Sequence, residues 1–308
     1  MNGHSSRWRM LLRRKSGWLS LAVVLLYVLM AIGFETAEIV CEARHLTPFP
    51  QRTSTEIYAP PGPSHWLGTD YQGRDVLIRA AAASAVALKV GLISGALAAL
   101  IGTVLGMCSG YFGGWIDDLT VWLYSTFASI PSLLFILALA LLVSRGFLPP
   151  ALEGGVRAMG KLLHTEPGTL AVYLAIGLTG WVSLCRVVRS ETMKLRQSSY
   201  IAAAKVSGVG SFSIVFRHVL PNVFHLVVIY FTLNFAAAVM MEVIVSYLGF
   251  GVQSAPSWGV MISDGQERLW RGVWWEIAGA TGFMFVLVLA LNILGDTLRD
   301  QLDPKSAK

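Results

Sequence analysis

Ionisable and amide side chains inside apolar runs are costly to insert into lipid, so they are the first candidates for function. Glu242 is one, near the outer end of an apolar run over 223–245. It reads either as a path-lining carboxylate or as one hydrogen-bonded at an interface or to a neighbouring helix. Asn234 lies in the same run and Asn292 in another. Both suit hydrogen bonds between helices, and Asn234 joins Glu242 as a candidate for lining a translocation path. The chain has no G-x-x-x-x-G-K-[ST] stretch, so it is not expected to bind or hydrolyse ATP. HExxH and GxSxG are absent too, and the six histidines are scattered. Cys41, Cys108 and Cys185 are far apart and odd in number, which fits free thiols rather than a zinc site or a disulfide framework. No catalytic or metal residue is expected.

A second kind of chemistry is docking. Residues 200–222, YIAAAKVSGVGSFSIVFRHVLPN, form a basic amphipathic stretch between two long apolar runs. Ala202, Ala203, Ala204, Lys205 and Val206 favour a helix, and Gly208 and Gly210 allow a sharp turn. Ser211 can cap a second short helix, with Phe212, Ile214, Val215 and Phe216 as its apolar surface. Arg217, His218, Leu220, Pro221 and Asn222 complete the stretch, with Pro221 suited to the start of the next helix. On residues alone this surface rests either on lipid or on another protein.

The surrounding elements are membrane spans. Of 308 residues, 55% are hydrophobic and 14% charged, against roughly 25% charged in soluble domains. Apolar runs near the ~20 residues needed to cross hydrocarbon predict an all-α integral membrane protein with six transmembrane helices, over 18–34, 85–108, 119–143, 170–188, 223–245 and 274–295. Pro131 is expected to kink the third. Gly91, Gly95, Gly102, Gly106 and Gly110 form a packing face of small residues. Lys89 is expected to snorkel to the interface.

The division that follows is a basic N-terminus with the first span over 1–38, a Pro-rich external segment over 39–83, and a core transmembrane domain over 84–304 containing a cytoplasmic loop at 189–221. In HWLGTDYQGRDVL (65–77), Gly68 and Gly73 mark turns among Asp70, Arg74 and Asp75, read as a hydrogen-bonded surface turn. The loop 144–169 carries a possible short helix around 156–163. Trp274 and Trp275 sit where an aromatic belt belongs. Fourteen of the 24 Lys and Arg fall in cytoplasmic segments and nine in the longer external ones. That fits the positive-inside rule with both termini cytoplasmic. Asp117 and Asp118, in a cytoplasmic loop, run against it. In a membrane protein the net charge of +6 chiefly sets orientation, so no nucleic-acid partner is expected.

Residues 200–222 resemble the "EAA" loop of ABC importer permeases, and co-linear motifs over roughly 64–304 are similar to the C-type subunit of the dipeptide/oligopeptide/nickel subfamily. These are HWLGTDYQGRDVL, GYFGGWIDD (110–118), GLTGWVSLCRVVRSETM (177–193), SYLGFGVQSAPSWGVMISDG (246–265) and LNILGDTLRDQLDP (291–304). The resemblance implies a type I ABC importer permease fold, a bacterial inner-membrane location and a coupling helix around 202–217 that docks on a cytoplasmic ATPase. The implied partners are a second homologous permease, two ATPase subunits and an external solute-binding protein. ATP and Mg would be bound on the partner subunits, with no cofactor in this chain. The implied solute is a dipeptide, an oligopeptide or nickel. The family's Glu in the EAA triad is Ala202 here, so an ion pair it would make with the ATPase is absent. The 144–169 loop is longer than usual, either as tolerated surface or as a contact for the binding protein. A stand-alone secondary transporter or channel is the alternative class. It tends to show inverted repeats and mid-span ionisable residues, and neither is evident here.

Overall fold

In a computed structural model, residues 15–145, 147, 150–251 and 255–302 are described. Arg7, Arg9, Arg13, Arg14, Asp303 and residues 252–254 of the SYLGFGVQSAPSWGVMISDG motif lie outside these. The described residues are mostly α-helical, apart from a long segment over 44–75 that holds no α-helix. Among the described residues there is no β-strand, only isolated bridges at Thr53–Arg74 and Thr69–Asp75.

Five helices are long and apolar enough to span a membrane: α1 (Lys15–Ala43), α2 (Val76–Phe112), α6 (Pro167–Arg196), α9 (Leu220–Tyr247) and α11 (Trp275–Leu302). The expected third span is instead two helices, α3 (Gly114–Ser129) and α4 (Ser132–Ser144), meeting at 89°. Pro131 causes the break by forcing the residue before it out of the helical region: Ile130 is extended at φ −87° and ψ 127°. Counting the bent pair as one span gives six. Smaller helices lie between: α5 (Pro150–Leu162), α7 (Ser199–Val206), α8 (Ser211–Ile214) and α10 (Trp258–Leu269).

The helices outrun the expected spans because their ends are held by protein. Asp75 caps α2, its carboxylate accepting from the Ile78 N–H at 3.1 Å and from His65 Nδ1 at 2.9 Å. The glycine face of α2 is shared between two partners. A Cβ on Gly91 would fall 2.2 Å from the Phe235 ring of α9. On Gly102, Gly106 and Gly110 it would fall 2.8, 2.8 and 2.6 Å from the carbonyl oxygens of Trp181, Cys185 and Arg189. These three sit on successive turns of α6, so the α2 and α6 backbones touch along three turns, the approach that small residues permit in lipid.

The expected surface turn at the external end is a buried clasp. Asp70 is fully enclosed. Its carboxylate accepts from the backbone N–H of Gln72 and Arg74, from Arg74 Nε at 2.7 Å and from Arg79 Nη1 at 2.5 Å. Arg79 also reaches Glu276, on α11, at 3.5 Å. Gly68 and Gly73 take φ of +69° and +74°, and a Cβ on either would strike a backbone carbonyl. Burial pushes the neighbouring Asp264 carboxyl above its usual range, against the pull of Arg79, Arg268 and Arg74. Trp275 leaves the predicted belt: it is buried, its Nε1 donating to the Thr69 carbonyl at 3.0 Å, while Trp274 stays exposed. Trp258 is buried too, donating to the Ala80 carbonyl at 2.8 Å. Lys89 finds protein partners for its ammonium. It pairs with Glu35 of α1 at 2.6 Å and donates to the His164 carbonyl at 3.3 Å.

The glycine contacts predict an asymmetry. Gly106→Leu must separate α2 from α6, while Gly282→Leu meets nothing within 4 Å. Overpacking of this kind costs about 1–3 kcal/mol. Thermal unfolding in detergent, followed by tryptophan fluorescence, should show a lowered midpoint for the first variant and an unchanged one for the second.

Candidate functional site

The helical turn that begins the 200–222 stretch is α7. It ends at Ser207, and Gly208 reverses the chain at φ +76°. The second helix does not stand apart as expected. Gly210, not Ser211, is the residue before α8. Through a π-helical turn at Val215–Val219, α8 runs on into α9. That wider turn, in which the Leu220 N–H bonds the Val215 carbonyl, carries the helix past Pro221, which has no N–H to give. The result is one helix over Ser211–Tyr247, joining the 200–222 stretch to an apolar span without a break.

The expected apolar face divides in two. Ile201, Ile214, Val215 and Val219 are buried against Met107, Tyr111, Leu184 and Val188 of α2 and α6. Ile214 and Val215, expected on the exposed face, therefore anchor the loop and present nothing outward. The outward surface is apolar elsewhere: Val206 is 90% exposed, Phe212 70% and Phe216 55%. Ala202, Ala203, Lys205, Gly208, Arg217, Pro221 and Asn222 are also exposed, with Ala204, His218 and Leu220 half-buried. The Lys205 ammonium lies 5.3 Å from the Tyr111 ring centre, and the rings of Phe112 and Phe212 are 5.7 Å apart. Asn222 Nδ2 donates to the His218 carbonyl at 2.6 Å. Together these contacts hold α7 and α8 against the cytoplasmic ends of α2 and α6.

An ion pair not read from the sequence braces the same end. Arg189 of α6 donates to both Asp117 oxygens, Nε at 2.5 Å and Nη2 at 2.6 Å, and Ser109 Oγ donates to Asp117 as well. The two-pronged geometry fixes α3 to α6. It also accounts for one acidic residue that ran against the charge bias, since Asp117 is neutralised in place. The available signal was Asp117 itself, a carboxylate on the wrong side for the positive-inside trend.

Within the spans the two path candidates separate. Asn234 lines a cavity of about 180 Å³ with Ser94, Ser132, Thr179, Gly180 and Met241. Its Nδ2 is buried and has no hydrogen-bond partner among the described residues, so the helix–helix bond expected of it is not made. Ser132 and Thr179 also line an adjoining cavity of about 340 Å³ at the Pro131 bend. Glu242 does not line either cavity. It is buried and accepts from Ser246 Oγ at 2.6 Å and Ser257 Oγ at 2.9 Å. Through Ser257, the residue before α10, it pins that helix to α9. Asn292 is exposed, as are Asp296, Arg299 and Asp300 on the last turns of α11.

Comparison with known proteins agrees with this architecture. The family model described as "binding-protein-dependent transport system inner membrane component" matches residues 102–308. The dipeptide transport system permease protein DppC of Bacillus subtilis (strain 168) is 32% identical over 302 residues, which cover 97% of this chain and 84% of that protein. The oligopeptide transport system permease protein OppC of Escherichia coli (strain K12) is 34% identical over 242 residues, 78% of this chain and 72% of that protein. OppC of Mycobacterium tuberculosis (strain CDC 1551 / Oshkosh) is 34% identical over 251 residues, 81% and 79% respectively.

Proposed function

This chain belongs to the family of binding-protein-dependent transport system inner membrane components, and we propose that its exposed surface over 199–217 is where a separate cytoplasmic ATPase docks and drives it. The chain is a multi-pass inner-membrane permease subunit of an ATP-driven ABC importer, with the type I importer permease fold, and is not itself an enzyme. One observation carries the docking proposal. Val206, Phe212 and Phe216 are exposed on a loop whose Ile201 and Ile214 are fully buried. A loop held from behind and bare in front is built to be gripped by a partner and to pass the displacement on.

In this reading ATP and Mg are bound on two ATPase subunits. ATP binding there favours one arrangement of the permease pair over the other, which it can do only through unequal affinity for the two. The second permease is a homologue of this chain, making a heterodimer, and an external binding protein delivers the solute. Both termini are cytoplasmic. The charge bias supports that orientation, and the Asp117–Arg189 pair removes one exception to it. The solute is a short peptide, as in the names of the dipeptide and oligopeptide permeases it is similar to. Asn234, Ser132 and Thr179 suit such cargo. An amide with an unpaired N–H and two hydroxyls can exchange hydrogen bonds with successive peptide groups without holding any one tightly. Glu242 acts from behind, by holding α10 in place.

Two variants test the coupling surface. Gly208→Val has space for its side chain but forces a β-branched residue to φ +76°, a strain of about 1–3 kcal/mol. Solute transported per ATP hydrolysed should fall in proteoliposomes, while assembly in the membrane persists. Wild-type coupling would contradict the proposal. Ala202→Glu adds an exposed carboxylate on the docking face. An exposed ion pair is worth about 0.2–1 kcal/mol, so the ATPase should dissociate about 1.4- to fivefold more slowly. An unchanged dissociation rate would show that Ala202 does not face a basic group of the ATPase.

A further inference from the structure

Two cavities away from the docking surface and the Asn234 cavity share a wall. One, of about 720 Å³, opens at the external end between α1, α2, α5 and the start of α6, and its rim carries Glu35, Glu38, Lys89, Arg157, Lys161 and His164. The other, of about 500 Å³, is a groove between α1, α2, α9 and α11, walled by Val28, Ile32, Leu92, Phe231, Phe235 and Leu291. Glu35, Ala85 and Lys89 line both. A space bearing charges of both signs therefore opens directly into an apolar slot.

The dimensions match one molecule. Along α1 the groove runs from Glu35 to Val24, about 16 Å at the helical rise. One leaflet of a bilayer core is about 15 Å deep. With the N-terminus cytoplasmic, as proposed above, the charged rim stands at the external headgroup level and the groove runs inward from it. Lys89 Nζ has three N–H groups and gives one to Glu35 Oε1 and one to the His164 carbonyl. That leaves a donor for a phosphate oxygen, with the exposed Lys161 nearby on the same rim. Glu35 has a second oxygen, Oε2, able to accept from an ammonium. The groove below would not hold ordered water, because its walls offer almost no polar partners.

We propose that this two-part cavity binds one amine-bearing phospholipid of the external leaflet. The phosphate sits at Lys89 and Lys161, the primary ammonium at Glu35, and one acyl chain lies in the groove beneath. The bound lipid fills the gap between α1 and the core and holds the first span in place. A quaternary ammonium has no N–H to give Glu35, so phosphatidylethanolamine is preferred over phosphatidylcholine.

The test uses the assembled importer in nanodiscs containing equal phosphatidylethanolamine and phosphatidylcholine, followed by detergent exchange and native mass spectrometry. Wild type should keep one phosphatidylethanolamine for each copy of this chain. Lys89→Met should lower that occupancy about tenfold, the worth of one hydrogen bond to a charged group. Ile32→Trp, which fills the groove and spares the rim, should lower it as well. Soluble phosphoethanolamine, lacking acyl chains, should not displace the lipid. Equal retention of the two lipids would overturn the proposal, as would occupancy unchanged in both variants or displacement by phosphoethanolamine. A cross-link from Leu92→Cys to the second permease would also overturn it, by showing that protein fills the groove. Labelling of Lys161→Cys by an impermeant thiol reagent from the cytoplasmic side alone would overturn the leaflet assignment. None of these outcomes bears on ATPase coupling, which the Gly208 and Ala202 variants address separately.

Discussion

The backbone contact between α2 and α6 is the constraint on which the rest of the molecule depends. Three glycines of α2 pass the carbonyl oxygens of Trp181, Cys185 and Arg189 at distances that leave no room for a side chain. Helices in lipid have no hydrophobic drive to associate, so close packing of this kind must hold them. The seam ends where the 199–217 loop is seated. Gly110 lies against Arg189, whose guanidinium grips Asp117 of α3. Immediately below, Met107, Tyr111, Leu184 and Val188 from the same two helices form the seat for Ile201 and Ile214.

This arrangement would make the proposed docking loop part of a lever. Its second limb is continuous with α9, because the π-helical turn carries the helix through Pro221. Farther along α9 lie Asn234, at the polar cavity, and Glu242, which holds α10 through Ser257. A push on this loop would thus have a helical route to the cavity within the spans and to α10. The external end is closed by a different device, the Asp70–Arg79–Glu276 clasp, which ties the segment before α2 to the start of α11. Buried charges of this kind add little net stability, but losing one member is costly, so the clasp fixes geometry more than it adds strength.

Much of this was legible in the sequence, because apolar runs, glycine spacing and the basic stretch at 200–222 are local signals. Co-linear motifs also carried the family and the fold. The features that were not legible depend on partners distant in the chain. Asp70 read as part of a surface turn because Glu276, some 200 residues later, completes its enclosure through Arg79. Arg79, a charge inside an apolar helix, was the signal available there. The partner of Lys89 could not be read because its counter-ion, Glu35, lies on another span. Ile214 looked outward-facing because helical periodicity gives a face but not what that face meets. The Pro131 kink was foreseen, but its 89° depth was not, since a proline sets only the local bend and the packing of α3 and α4 sets the rest.

The claim at the centre of this account is that the 199–217 surface meets an ATPase and not lipid. Val206, the most exposed apolar residue on that surface, is the place to ask. A photo-cross-linker attached at Val206→Cys, in native membranes containing the whole importer, reports its neighbour directly. The account predicts an adduct with the ATPase subunit whose yield changes when ATP is bound and hydrolysis is blocked. Adducts with lipid alone, at any nucleotide state, would contradict it.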